Sequence, residues 1–287
     1  MLRFPSGELA ETDDNEFLDS LQRRQGRGSF FRIVHRWENS LGLAFLALLL
    51  MLLASFCFVR YALPFLASRA AFALPPATED MLGRETLQIL DRIVLKPSKL
   101  PEERRKELTR LFAGMTAAHP ERKGWRLEFR SGERIGANAF ALPSGIVIVT
   151  DRLVAIALND QEIAGVLAHE IGHVNRRHAL RHVMQNSATA LIVATITGDI
   201  VSVTSLSATL PTVLIDAKFS RDFEWEADDA AVAYLKEKGL PVKAYADMLM
   251  RIGKEHAKEG EHSQFGELLE DHPVMEERVK RVLRAGG

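Results

Sequence analysis

Between Leu41 and Val59 the chain reads LGLAFLALLLMLLASFCFV, nineteen residues without a charge. As a helix rising 1.5 Å per residue this run is about 29 Å long, close to the ~30 Å hydrocarbon core of a bilayer. It is read as a membrane anchor that divides the chain into a part before it and a part after it. Ala71-Phe72-Ala73 has the small-x-small pattern of a signal-peptide cleavage site. Some forty residues precede the apolar run, however, too many for an ordinary leader, so an uncleaved anchor is expected. Arg23, Arg24, Arg27, Arg32 and Arg36 precede the run, and only Arg60 and Arg69 closely follow it. That bias predicts an amino end in the cytoplasm and, in a bacterium, an inner-membrane protein with everything beyond about residue 60 in the periplasm. Cys57, the only cysteine, lies inside the run and is read as a small apolar packing residue.

The remainder is ordinary in composition. With 37 basic and 38 acidic side chains the net charge is −1, which argues against a dedicated nucleic-acid partner. Residues 1–40, with acidic Glu11, Asp13, Asp14, Glu16 and Asp19 ahead of the arginines, lack the apolar positions for a core. They are expected to be a disordered cytoplasmic tail. The anchor occupies 41–60. Pro64, Pro75 and Pro76 suggest a linker over 61–78, and the folded domain is expected over 79–287. Within it Trp125–Phe129 and Ile146–Thr150 read as strands, and most of the rest reads as helix. Asn159 and Glu162 have capping-box spacing before the apolar stripe Ile163, Val166, Leu167, Ile171 and Val174. Another helix is expected from about Asp222 to Gly239. The fold class is therefore α+β, mainly helical, with a small sheet.

The first of those helices carries His169-Glu170-Ile171-Gly172-His173. At 3.6 residues per turn both histidines fall on one face and can reach one metal ion, while Glu170 is offset toward the place of a general base. Gly172 is a poor helix former, and its lack of a side chain lets another backbone or a substrate come close. A zinc ion needs a third protein ligand. His178, five positions beyond His173, is turned off the metal face, so His178 and His182 are given solvated or packing roles. In the segment Ser220–Asp229, Glu224 and Asp228 stand one helical turn apart. One carboxylate can bind metal while the other hydrogen-bonds a ligand imidazole. Glu226 points elsewhere, and replacing Glu226 or His178 is not expected to affect zinc content. Glu276, Glu277, Arg278, Lys280 and Arg281 read as the solvated face of the last helix.

Four ordered segments, Asn138–Pro143, Val166–His173, Ser220-Arg221 with Glu224 and Ala227-Asp228, and His272-Pro273 with Glu277-Arg278, resemble the M48 family of zinc metallopeptidases over about residues 80–285. Leu82-Gly83 and Pro97–Pro101 resemble a membrane-anchored bacterial subgroup. The resemblance implies a zincin-like, gluzincin-type domain holding one zinc ion per chain. His169, His173 and Glu224 would be its ligands, Glu170 the base, and Asp228 the partner of a ligand histidine. Ser144-Gly145 departs from the two glycines of many relatives, and only one convincing membrane span is present. The apolar stretch 188–215 is interrupted by Asp199 and Pro211. It is expected to form two helices that pack over the active site or touch the membrane.

The expected function is a membrane-anchored zinc endopeptidase acting on unfolded or misfolded envelope proteins through a zinc-activated water. Extended polypeptide would add to the strand of Ile146 and Val147, with Asn138 flanking the cleft. His272 would stabilise the oxyanion, occupy a zinc position in a latent enzyme, or serve only as a structural turn. The alternative is a membrane-tethered chaperone or adaptor with a latent or structural zinc site.

Overall fold

The computed structural model describes residues 2–3, 9–10, 41–117, 124–132, 135–197, 219–260 and 272–287. The tail expected at 1–40 and the second half of the apolar stretch, 198–218, fall almost wholly outside them. The chain divides into two compact units, Met1–Ala62 and Leu63–Gly287.

In the first unit α1 runs over Leu41–Cys57 and has no buried residue. A π-helical turn, Phe58–Ala62, follows it. Among the described residues, Leu41–Ala73 is the one helical run long and apolar enough to cross a membrane.

The second unit starts earlier than the proline pattern predicts. All of 61–78 but Leu74 and Pro75 is helical: α2 covers Leu63–Ala73 and α3 covers Pro76–Ile93. Pro64 is the second residue of α2, directly after the π-helical turn. Pro75 is the N-cap and Pro76 the first residue of α3, positions that tolerate proline because their N–H has no partner in the helix. Leu63, Ala67 and Ala71, four residues apart on one face, are the buried side of α2, which packs on the helix His178–Thr197.

The sheet has four strands, β1 (Lys96–Pro97), β2 (Arg126–Ser131), β3 (Ala139–Ala141) and β4 (Ile146–Thr150), in the order β1-β2-β4-β3. β2 and β4 are parallel, and β3 is antiparallel to β4 with Phe140 opposite Ile148. Gly145, at φ 79°, closes the β3–β4 turn, and a side chain there would run into the Trp125 indole. All five residues of β4 are buried. Ile146 and Ile148 pack with Leu87 and Leu90 of α3, while Val147 and Val149 join the main core. A strand covered on both faces and paired on both edges has no free edge, so Ile146 and Val147 cannot receive a substrate strand. The edge belongs to β3.

Helix α4 (Glu102–Thr116) and the short α5 (Asp151–Ile156) lead to α6 (Asp160–Asn175). The Asn159 side chain accepts from the N–H groups of Gln161 and Glu162 at 3.0 and 3.1 Å, and Glu162 reaches back to the N–H of Leu158 at 2.8 Å. Glu162 is buried and also paired with Arg251. Every residue from Glu162 to Val174 is buried. One side of α6 faces the sheet, and the others meet α8 (Arg221–Glu237) and α9 (Val242–Gly260). α7 (His178–Thr197) follows α6, and α10 (His272–Gly286) packs on α8 and α9. Gly172 makes the α6–α8 contact close, since a Cβ added there would lie 3.0 Å from Ala230 Cβ and 3.2 Å from Ala227 Cα. The glycine between the histidines therefore admits a neighbouring helix backbone.

Candidate metal centre

His169 and His173 project from the buried interior of α6 with their Nε2 atoms 3.0 Å apart. Glu224, in the first turn of α8, brings Oε2 within 3.6 Å of His169 Nε2 and Oε1 within 3.4 Å of His173 Nε2. Atoms bound about 2.0–2.1 Å from a tetrahedral ion stand about 3.3 Å from one another, so this donor set fits a zinc-sized ion. Its chemistry fits as well. His169 Nδ1 lies 3.0 Å from Asp228 Oδ1, and His173 Nδ1 lies 2.9 Å from His178 Nδ1. With the His173 Nδ1 proton directed at His178, the His173 Nε2 lone pair faces His169 Nε2 and the Glu224 carboxylate, an arrangement that a cation between them resolves.

Glu170 is buried beside this cluster and is hydrogen-bonded by the backbone of Ala141, the last residue of edge strand β3. Burial is the main cause that raises its carboxyl to about 7, with Glu224 adding to the rise and His169 and Arg278 opposing it. Burial also acts to raise Glu224, but the Arg278 guanidinium and then His173 overcome it and hold that carboxyl at about 2.

The model of peptidase family M48 matches residues 99–285, well over half of the chain and inclusive of all of these groups. The chain belongs to peptidase family M48. Among M48 relatives it is 31% identical over 153 residues to metalloprotease LoiP of Escherichia coli, covering 50% of this chain and 57% of the relative. It is 32% identical over 154 residues to metalloprotease YcaL of the same organism, covering 50% and 56%. It is 27% identical over 148 residues to the mitochondrial metalloendopeptidase OMA1 of Arabidopsis thaliana, covering 52% and 29%. The chain thus spans little more than half the length of the two Escherichia coli relatives and less than a third of the Arabidopsis one. Those three relatives are metalloproteases by name.

Around the M48 motif the structure adds groups that helical spacing alone misses. Asp228 is fully buried and accepts from Tyr245 Oη at 2.7 Å, from Arg278 Nε at 2.9 Å and from a second Arg278 nitrogen at 2.7 Å. The third guanidinium nitrogen lies 2.7 Å from Glu224 Oε2. Desolvation works against the Asp228 carboxylate, yet His169 and Arg278 hold it far below the usual range. Arg278 is therefore not on a solvated face. Met275, Arg278, Val279 and Val282 form an i, i+3, i+4, i+7 stripe, and an arginine in a stripe position was the available signal.

Of the two roles expected for His178, solvated or packing, the structure gives packing, and Glu226 points toward it. His178 is fully buried, with Nε2 3.1 Å from Glu226 Oε2, and its ring stacks on Phe223 with centroids 4.4 Å apart. Burial first, and then His173, lower its pKa to about 3, so it is neutral. The α6 helix ends at Arg176, and Arg177 takes a left-handed φ of 53°, which turns α7 so that its first residue faces back to His173. Arg177 also donates to the carbonyls of Ala71 and Leu74 and pairs with Glu79 at 2.6 Å, joining the end of α2 to this corner.

Asn138 immediately precedes β3, and its N–H and C=O are tied to Thr150 at 2.9 and 3.0 Å. His272 is the first residue of α10, but its side chain lies outside the described residues, as does any role for it in the cleft.

Proposed function

We propose that the chain is a zinc-dependent endopeptidase of zincin-like fold, anchored by α1, that cuts extended segments of unfolded or misfolded envelope proteins. The observation that carries this reading is the convergence of His169, His173 and Glu224, whose donor atoms all lie within 4.8 Å of one another beside the buried Glu170. A three-ligand set is the pattern of catalytic zinc, whereas structural sites are closed by four protein ligands. Zinc bound by these residues supplies Lewis-acid polarisation of the scissile carbonyl and acidifies water.

The residues do the rest. Glu170 holds the attacking water, takes its proton and delivers that proton to the leaving amine, a task suited to a carboxyl whose pKa stands near neutrality. The Ala141 hydrogen bond fixes Glu170 against the end of the β3 edge. Substrate main chain added along Ala139–Ala141, with Asn138 at its start, brings a peptide carbonyl to the face where Glu170 works. Such pairing reads backbone rather than sequence and excludes folded segments.

Removal of the third donor tests the site. Glu224→Ala is expected to lower zinc content measured by metal analysis and to abolish casein cleavage, while the protein stays helical by circular dichroism. Full zinc occupancy in that variant would overturn the ligand assignment. For orientation, the arginine bias ahead of α1 supports a cytoplasmic amino end. A carboxyl-terminal alkaline phosphatase fusion is then expected to be active in a bacterial host, and an inactive fusion beside an active cytoplasmic reporter at the same position would reverse the topology.

A further inference from the structure

We propose that His178 and Glu226 are positioning residues for the metal ligand His173: Glu226 fixes the tautomer of His178, which in turn fixes that of His173 and aims its Nε2 lone pair at the metal. The inference rests on the zinc-site reading above and extends it beyond the donor set.

An imidazole that binds a metal through Nε2 carries its proton on Nδ1 and needs an acceptor for it. The atom facing His173 Nδ1, at 2.9 Å, is Nδ1 of His178. That nitrogen must therefore be unprotonated, which places the His178 proton on Nε2. Nε2 lies 3.1 Å from Glu226 Oε2, a carboxylate that can only accept. Only one arrangement of protons satisfies all three groups: His178 donates to Glu226, and His173 donates to His178. A protonated His178 would instead turn an N–H against the N–H of His173.

The relay is held in place from several sides. Glu226 also faces Arg181 at 3.2 Å and Arg176 at 3.4 Å. The Arg181 guanidinium lies 4.3 Å from the centroid of Phe223, whose ring is stacked on His178 with only 5° between the planes. Phe219 stacks on His173 at 4.5 Å. Neither imidazole can turn without breaking a ring stack and a hydrogen bond. The two metal-binding histidines thus have unlike supports, His169 the Asp228–Arg278 pair and His173 a neutral imidazole backed by Glu226.

A mere packing role for His178 predicts a different outcome from a relay. Phenylalanine fills the same slot between Phe219 and Phe223 but leaves the His173 Nδ1–H without an acceptor. Asparagine places an accepting Oδ1 near the position of His178 Nδ1. The test uses the full chain in detergent micelles, with zinc affinity read by chelator competition and ligand geometry by the d–d absorption of the cobalt(II) form. His178→Phe is expected to bind zinc about 10- to 100-fold more weakly, the range for loss of a hydrogen-bonding partner behind a metal ligand, and to alter the cobalt spectrum. His178→Asn is expected to recover most of that affinity. Glu226→Leu, at a partly exposed position, is expected to weaken binding by a smaller factor and serves alone if His178→Phe does not fold. Wild-type affinity and cobalt spectrum in His178→Phe, or in Glu226→Leu where only that variant folds, overturn the relay. Failure of the wild-type protein itself to bind zinc or cleave casein overturns the peptidase reading instead.

Discussion

Glu170→Gln is expected to cleave casein at least ~10²–10⁴-fold more slowly than the wild type, the range assigned to a positioned general base, while keeping its full complement of zinc. The amide retains the size of the side chain but cannot take a proton from water. Undiminished cleavage by the zinc-loaded variant would remove Glu170 from the mechanism. The same substitution has a second, opposite effect on the metal-free protein. Glu170 is raised from 4.5 to about 7, chiefly by burial. An acid whose folded-state pKa is raised binds more protons folded than unfolded in the interval between those values. Stability is then fully present below about 4.5 and falls as pH rises through 7. Metal-free Glu170→Gln should be more stable than metal-free wild type at pH 8, by on the order of 3 kcal/mol at most, and indistinguishable from it near pH 4. Urea denaturation at the two pH values reads the difference, and parallel curves at both would show that the carboxyl is not desolvated as described.

Arg278→Leu is expected to produce the largest loss of stability. Arg278 is buried, grips Asp228 through two nitrogens and reaches Glu224 with the third. Leucine fills part of the volume but leaves the buried Asp228 and the partly buried Glu224 without their cation, a defect that costs about 3–5 kcal/mol. Zinc restores part of the missing positive charge, so the deficit should be larger in the metal-free protein than in the zinc-loaded one. Arg278→Lys keeps the charge without the planar fork and should fall between. Denaturant midpoints for each variant with and without zinc give the comparison. An equal, small shift in both states would place Arg278 outside the charge network.

What was legible in the sequence was local. The cap formed by Asn159 and Glu162, the metal helix and the one-turn spacing of Glu224 and Asp228 all depend on contacts within a few residues, and helical geometry fixes them. The edge of the sheet does not. Whether Ile146–Thr150 is outer or inner depends on β2 and β3 arriving on its two sides. The uninterrupted apolar run IVIVT was itself a sign of a strand covered on both faces. The contact of His178 with His173 was not legible because the five-residue offset was counted on a continuous helix, and the chain turns at Arg177. Arg278 was misplaced because charge on a terminal helix was equated with solvent. Its partners come from α8 and α9, far away in sequence. The prolines at 75 and 76 were read as breakers of structure when they begin a helix.

The network around Asp228 also bears on which ion the centre accepts. The cluster contains the carboxylates of Glu170, Glu224 and Asp228 and the guanidinium of Arg278, and these four groups together carry two negative charges when Glu170 is ionised. A dication makes that interior electrically neutral. A monovalent ion leaves it short by one charge and a trivalent ion overshoots by one. Charge balance is thus a preference separate from the size and softness preferences set by the donor atoms. An empty centre can approach neutrality by taking up protons, first at Glu170, so metal loading and proton release are expected to be coupled in this protein.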